Sequence, residues 1–389
     1  MFAKTFLSFA MLAATVVAIP SVNKRATCSG GQTTANEACC VWFDVLDDIQ
    51  TNLFHDGTCG EEAHEALRLI FHDAIAISPA LTAQGQFGGG GADGSIMAHV
   101  DVEGAYHANN GLDEIIEAER PFALKHNVSF GDFIQFAGAV GASNCNGGPQ
   151  IPFFAGRSND SQAAPDGLVP LPTDDVTTIL DRISDAGGFV AVELVWLLIS
   201  HTVASQHTID PSVPGAPFDS TPSEFDAQFF VETLLNGTAP TGSTLESANG
   251  EALSPIPGEF RLESDSLIAR DSRTSCEWQR LISTFSGAVF AFFARLTVMP
   301  AFTANPDDMV AKFVQTVQKL SLLGFDQSTL TDCSDVIPTP SGSPAAGVLP
   351  AGKSFDDIQA ACAATPFPTT ISALPGKSLV AFNAGSSVF

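Results

Sequence analysis

"GEEAHEALRLIFHDA", residues 60–74, is the stretch on which the reading of the chain turns. Glu61, Glu65, Arg68 and His72 are spaced by four, three and four positions, so a helix carries all of them on one narrow stripe. Leu67, Ile70 and Phe71 put apolar surface beside that stripe. A guanidinium one turn from an imidazole, among apolar neighbours, suits chemistry inside a pocket. The same spacing also suits an ordinary surface Glu/Arg pair.

The chain opens with "MFAKTFLSFAMLAATVVAIP": Lys4, an apolar run, then small residues. That is the pattern of a secretory signal peptide, too short and poorly flanked for a membrane span. Lys24-Arg25 follows as a dibasic processing site, so residues 1–25 read as signal plus propeptide and the mature chain starts at Ala26. No other segment reads as a bilayer span, and a soluble, secreted product is expected. The mature length exceeds that at which single cores stop growing, which predicts two lobes, 26–170 and 171–336, followed by a tail, 337–389. All 8 cysteines follow Ala26, as suits an oxidising compartment. Their even number predicts four disulfides, with the pairing open. Sequons at Asn127, Asn159 and Asn236 fit a glycoprotein. A net charge of −26 disfavours nucleic acid and anionic membranes as partners. Aromatic usage is lopsided, with 30 Phe against 1 Tyr and 3 Trp. This weighs against a carbohydrate-binding surface and suits a protein that makes a strong oxidant. Compositional drift explains it equally well.

Helical periodicity dominates. Helices are expected over 41–54, from residue 61 to about Ile77, and through "FGDFIQFAGAVGAS" after the N-cap candidate Ser129. "TDDVTTILDRISDAG" starts with Thr173 and two aspartates and ends at Gly187. "FVAVELVWLLISHTVA" is apolar all round, which predicts a buried helix. "SCEWQRLISTFSGAVFAFFARL" and "PDDMVAKFVQTVQKLSLLG" complete the set, the latter with Met309, Phe313, Val317 and Leu320 on one face. Strand signals are few. From Ile337 the chain is rich in Pro, Ser, Gly and Ala, an irregular surface tail tethered by Cys362.

His64-Glu65 opens like a zinc HExxH motif, but Arg68 denies the second ligand. His55, His99 and His126 sit in polar contexts that suit solvated or capping roles. His72 ends the apolar stripe, and His201 lies deep in "LLISHTVA". Each alone suits a satisfied core histidine. Together, with Arg68 a turn before one of them, they suit peroxide cleavage at haem. A proximal His binds the iron. A neutral His opposite moves a proton between the peroxide oxygens. A fixed guanidinium stabilises the charge that develops. Each histidine also begins an oxygen-rich segment able to wrap a hard cation. Asp73 precedes Gly91, Asp93 and Ser95; Thr202 precedes Asp219, Thr221 and Asp226.

These features resemble the secreted fungal class II haem peroxidases, the lignin, manganese and versatile peroxidases. The resemblance rests on "RLIFHDAIAISP", "GGGGADGSI", "GLDEI", "APDGLVP", "ELVWLLISH", "PFDSTP", "ARDSRTSCEWQ" and "TDCSDVIP", in order from Cys28 to about Pro368, and is nearest to lignin peroxidase. It implies a mainly α fold with one haem b buried between two helical lobes and two Ca²⁺ ions. Arg68 and His72 are then the distal pair, Phe71 lies over the haem, Asn109 orients His72 with Glu103 behind it, and His201 is the axial ligand with Asp265 on its ring N–H. Asp73, Gly91, Asp93 and Ser95 match one calcium site. Thr202, Asp219, Thr221, Glu224 (through its carbonyl) and Asp226 match the other. The implied disulfides are Cys28–Cys40, Cys39–Cys333, Cys59–Cys145 and Cys276–Cys362. Trp196 matches an exposed Trp that carries electrons from bulky substrates, with Glu193 and Glu277 as acidic neighbours. On an ideal helix it lies roughly 140° from His201. Glu61 and Glu65 match two of three Mn²⁺ carboxylates, but the third position is His207. The implied partners are H₂O₂, lignin, small aromatics such as veratryl alcohol and, through the rim, Mn²⁺, acting on a monomer. The competing readings are a versatile or manganese peroxidase, a secreted haem-binding glycoprotein without turnover, and a glycoside hydrolase, for which no spacing singles out an acid pair.

Overall fold

The computed structural model describes residues 25–282, 306–369 and 371–374. The signal and propeptide expectation for residues 1–24, the continuation of the "SCEWQ" helix past Ile282 and the last part of the tail lie outside them. Among the described residues the chain is mainly α-helical. The helices are α1 (Val41–Asn52), α2 (Glu61–Ala74), the short α3 (Pro79–Ala83), α4 (Ser95–Ala98) and α5 (Val100–Glu103), then α6 (Asp113–His126) and α7 (Phe130–Asn144). The second half supplies α8 (Val176–Gly187), α9 (Ala191–Leu197), α10 (Gln228–Leu234), α11 (Glu263–Ile268), α12 (Ser275–Ile282) and α13 (Pro306–Ser321). Among the described residues the paired strands form three two-residue antiparallel pairings, such as Ser205–Gln206 with Ala216–Pro217.

Local chemistry sets several helix ends. Ser129 accepts from Asp132 N at 3.2 Å to start α7. Asp175, one of the two aspartates after Thr173, caps α8 by accepting from Thr178 N at 2.9 Å. Gly188, left-handed at φ +63°, ends α8. α2 and α7 approach closely because α7 has no side chain where they cross. A Cβ on Gly138 would meet Ile70 Cδ1 at 2.3 Å. This apposition plants the opening stripe of α2 in the core with one face turned towards a cavity. By length and composition, Glu61–Ala83 passes for a membrane span, but half of that window is buried inside the protein. Its hydropathy is that of a core helix.

"FVAVELVWLLISHTVA" departs from the expected continuous buried helix. α9 lasts seven residues and tightens at Leu198 into a 3₁₀ helix, Leu198–Val203. Val190 at its start is exposed, and Trp196 is only partly buried. The final helix keeps its expected face: Met309, Phe313, Val317 and Leu320 are buried. One contiguous set of buried apolar side chains runs through both halves of the chain. Disulfides join Cys28–Cys40, Cys39–Cys333, Cys59–Cys145 and Cys276–Cys362, the pairs the resemblance implies. The last bridge holds the tail, which is irregular as far as residue 374 except for a 3₁₀ turn at Phe355–Asp357.

Candidate active site

A cavity of about 330 Å³ opens between α2 and the 3₁₀ helix after α9. Arg68, Phe71 and His72 line one wall; Leu194, Leu197, His201 and Phe218 line the other. The stripe of α2 therefore faces a pocket and not bulk solvent.

On the α2 wall a directed chain of hydrogen bonds fixes His72. Its Nδ1–H donates to Asn109 Oδ1 at 2.8 Å, and Asn109 Nδ2 donates to the Glu103 carbonyl at 2.9 Å. Glu103 thus supports Asn109 through its backbone; its carboxylate instead accepts from Ala164 N at 3.0 Å. Nδ1 being the donor, Nε2 is the basic nitrogen, and Arg68 Nε lies 3.3 Å from it. Burial and the Arg68 charge hold His72 down to about 3, so it is neutral in mild acid. Burial lowers Arg68 to about 10, which leaves it cationic. The carbonyls of Ala108 and Asn110 accept from its Nη2 at 3.4 and 3.2 Å and set its reach.

On the opposite wall His201 Nδ1–H donates to Asp265 Oδ2 at 3.0 Å, which leaves Nε2 for the cavity. Asp265 is buried, and the rings of Phe218 and Phe229 pack on the imidazole at 5.2 and 5.5 Å. An imidazole with a carboxylate behind it and an apolar cavity before it is the donor set of a haem iron ligand. The residues present fit a haem held between His201 and the His72 wall.

At the cavity rim Glu61, Glu65 and His207 bring one ligand atom each within 4.8 Å of one another. His207 Nε2 is 2.6 Å from Glu61 Oε1, and Ser205 Oγ donates to Glu61 at 3.0 Å. Burial and the Glu61 carboxylate push Glu65 up to about 7. Although burial opposes it, the His207 hydrogen bond holds Glu61 below its usual value. Ser205 and His107, a further lining residue, had no sequence signal: neither belongs to a periodic face, and only the fold brings them to the cavity.

Trp196 does not line the cavity. Its indole Nε1 donates to Glu277. Trp42 and Trp278 are buried, so Trp196 is the tryptophan with accessible surface. The two acidic neighbours expected beside it are not free charges. Glu277 is paired with Arg280, and Glu193 pairs with Lys319 at 2.9 Å and caps Val190 N. Lys312 Nζ sits 4.9 Å from the Trp196 ring centroid. Sequence reasoning missed this cation because α13 is over a hundred residues away in the chain.

The oxygen-rich segments converge as well. Asp73 Oδ2 accepts from Gly94 N at 3.0 Å, while its buried Oδ1 has no partner. Asp93 Oδ1 accepts from Ser95 N at 2.9 Å. Gly91, at φ +76°, lies where a Cβ would meet Leu323 O at 2.3 Å. In the second group the Thr202 hydroxyl faces Asp219 Oδ2 at 2.9 Å, Asp226 Oδ1 at 3.3 Å and the Glu224 carbonyl at 3.4 Å. Thr221 Oγ1 lies 3.1 Å from Asp226 Oδ2. One hydroxyl proton cannot serve three acceptors, and such crowding of oxygens suits a hard cation.

Residues 45–284 match the peroxidase family, and residues 308–382 match the fungal peroxidase extension region. A versatile peroxidase of Pleurotus eryngii is 53% identical over 380 residues, covering 94% of this chain and 96% of its own length. Ligninase B of Phanerodontia chrysosporium is 52% identical over 381 residues, 97% of this chain and 95% of its own.

Proposed function

We propose that this chain, which belongs to the fungal haem peroxidases, oxidises lignin and non-phenolic aromatic compounds with H₂O₂ by one-electron transfer through Trp196. Bound haem b supplies the iron at which peroxide is reduced and the store of two oxidising equivalents. The protein supplies the rest. His72 Nε2, neutral and held by Asn109, would accept a proton from one peroxide oxygen and return it to the other. Arg68, fixed by two carbonyls, stabilises the negative charge on the departing oxygen. Asp265 keeps His201 in the tautomer that presents Nε2 and makes it more electron-donating. Asp73, Gly91, Asp93 and Ser95 would hold one Ca²⁺, and Thr202, Asp219, Thr221, Glu224 and Asp226 a second, which would brace the segments adjoining each histidine. The acidic, disulfide-bonded chain fits a secreted monomer.

The observation that carries the reading is the placement of Trp196. It belongs to the helix that runs into His201, yet its ring turns away from the cavity to Glu277 and Lys312 and keeps accessible surface. A polymer too large for the cavity meets an easily oxidised side chain there. Trp196→Phe tests this. Veratryl alcohol turnover should be abolished while the rate of the first reaction with H₂O₂ is unchanged. Retention of both rates makes Trp196 a packing residue. A second reading, Mn²⁺ oxidation of the versatile peroxidase kind, is supported by Glu61, Glu65 and His207 at the rim. Replacing a carboxylate with an imidazole removes one negative charge, so Mn²⁺ turnover should be weak.

A further inference from the structure

The rim cluster contains two carboxylates and an imidazole drawn from two distant segments, α2 and the loop after the 3₁₀ helix. We propose that Glu61, Glu65 and His207 form a site selective for a borderline divalent cation, Zn²⁺, and that Zn²⁺ bound there closes the cavity edge to Mn²⁺. Carboxylate and water ligands suit Mn²⁺, whereas an imidazole donor shifts preference towards zinc. The geometry is already convergent. The three ligand atoms lie within 4.8 Å of one another, and His207 Nε2 is 2.6 Å from Glu61 Oε1. Zn²⁺ replaces the proton shared by that pair, and the proton leaves to solvent. Ser205 Oγ donates to the Glu61 carboxylate at 3.0 Å and holds it at the rim. Three protein ligands leave a coordination position for water, as in an exchangeable zinc site. All three ligands line the cavity and Trp196 does not, so the cation would obstruct the edge and leave the Trp196 surface open. This inference rests on the rim cluster alone and stands or falls independently of electron transfer at Trp196.

The test uses the haem- and calcium-loaded enzyme. Calorimetric titration with ZnCl₂ and with MnCl₂ should show one Zn²⁺ bound at least about tenfold more tightly than Mn²⁺, and Zn²⁺ should restore the solution Mn²⁺ EPR signal lost on binding. His207→Asp should weaken Zn²⁺ and strengthen Mn²⁺, narrowing the gap by about tenfold or more. Glu61→Gln should weaken both, and an unchanged haem spectrum verifies that each variant is folded. In turnover, Zn²⁺ should suppress Mn²⁺ oxidation and spare veratryl alcohol. Zn²⁺ affinity unaltered by both substitutions places the ion elsewhere and overturns the proposal. So does wild-type enzyme that binds Mn²⁺ as tightly as Zn²⁺.

Discussion

Lys312→Met tests how the protein sets the oxidising power of Trp196. In the resting enzyme the ammonium stacks 4.9 Å from the indole centroid, a favourable cation–π contact. Once the indole loses an electron, the same ammonium faces a positive ring. At an effective dielectric of about 20, two unit charges at this distance repel by about 3 kcal/mol. Asp308 lies 3.2 Å from the same Nζ and offsets part of that, and partial exposure screens more. A net of about 1–2 kcal/mol remains, or roughly 50–100 mV for one electron. Lys312→Met should therefore make Trp196 easier to oxidise and its radical a weaker oxidant. The assay is freeze-quench EPR of the holoenzyme after one equivalent of H₂O₂, with the peroxide reaction followed in parallel by stopped flow. A larger Trp radical yield with an unchanged peroxide rate is expected. Lys312→Arg keeps the charge and should keep the wild-type yield. An equal or smaller yield in Lys312→Met, or an equal rise in Lys312→Arg, would refute the electrostatic argument.

His72→Ala should slow the first peroxide reaction by about 10²–10⁴-fold while haem still binds, read by stopped flow and the Soret band. With His72 held down to about 3, the wild-type rate should stay flat as pH falls and drop only as pH passes below that value, where the imidazole is protonated and cannot accept. Chelation of calcium should change the haem spectrum and activity together, since Asp73 adjoins His72 and Thr202 adjoins His201; loss of calcium with both unchanged contradicts the coupling. Gly138→Ala should lower stability by about 1–3 kcal/mol in thermal unfolding, because the new methyl meets Ile70 where α2 and α7 cross.

Much of the catalytic half-site was legible because it is local. Glu61, Glu65, Arg68 and His72 share a face through helix geometry alone, and no distant residue is needed to put them there. The Ser129 cap and the buried face of α13 follow from the same short-range rules. His201 was singled out by its place in the most apolar segment; the resemblance added Asp265 and the cysteine pairing, which periodicity left open. Tertiary structure decided the rest. It ended α9 at Leu197, where the apolar pattern ran on, so the ideal-helix angle between Trp196 and His201 does not apply. It neutralised Glu193 with Lys319 and set Lys312 on the indole, while the Glu277–Arg280 pair is a local i,i+3 contact within α12. It also drew His207 onto Glu61 through Ser205. The contacts between elements join residues 116 to 146 positions apart. Side-chain spacing along one helix is fixed by backbone geometry, whereas the meeting of charges from separate elements depends on how those elements pack, which no local pattern encodes.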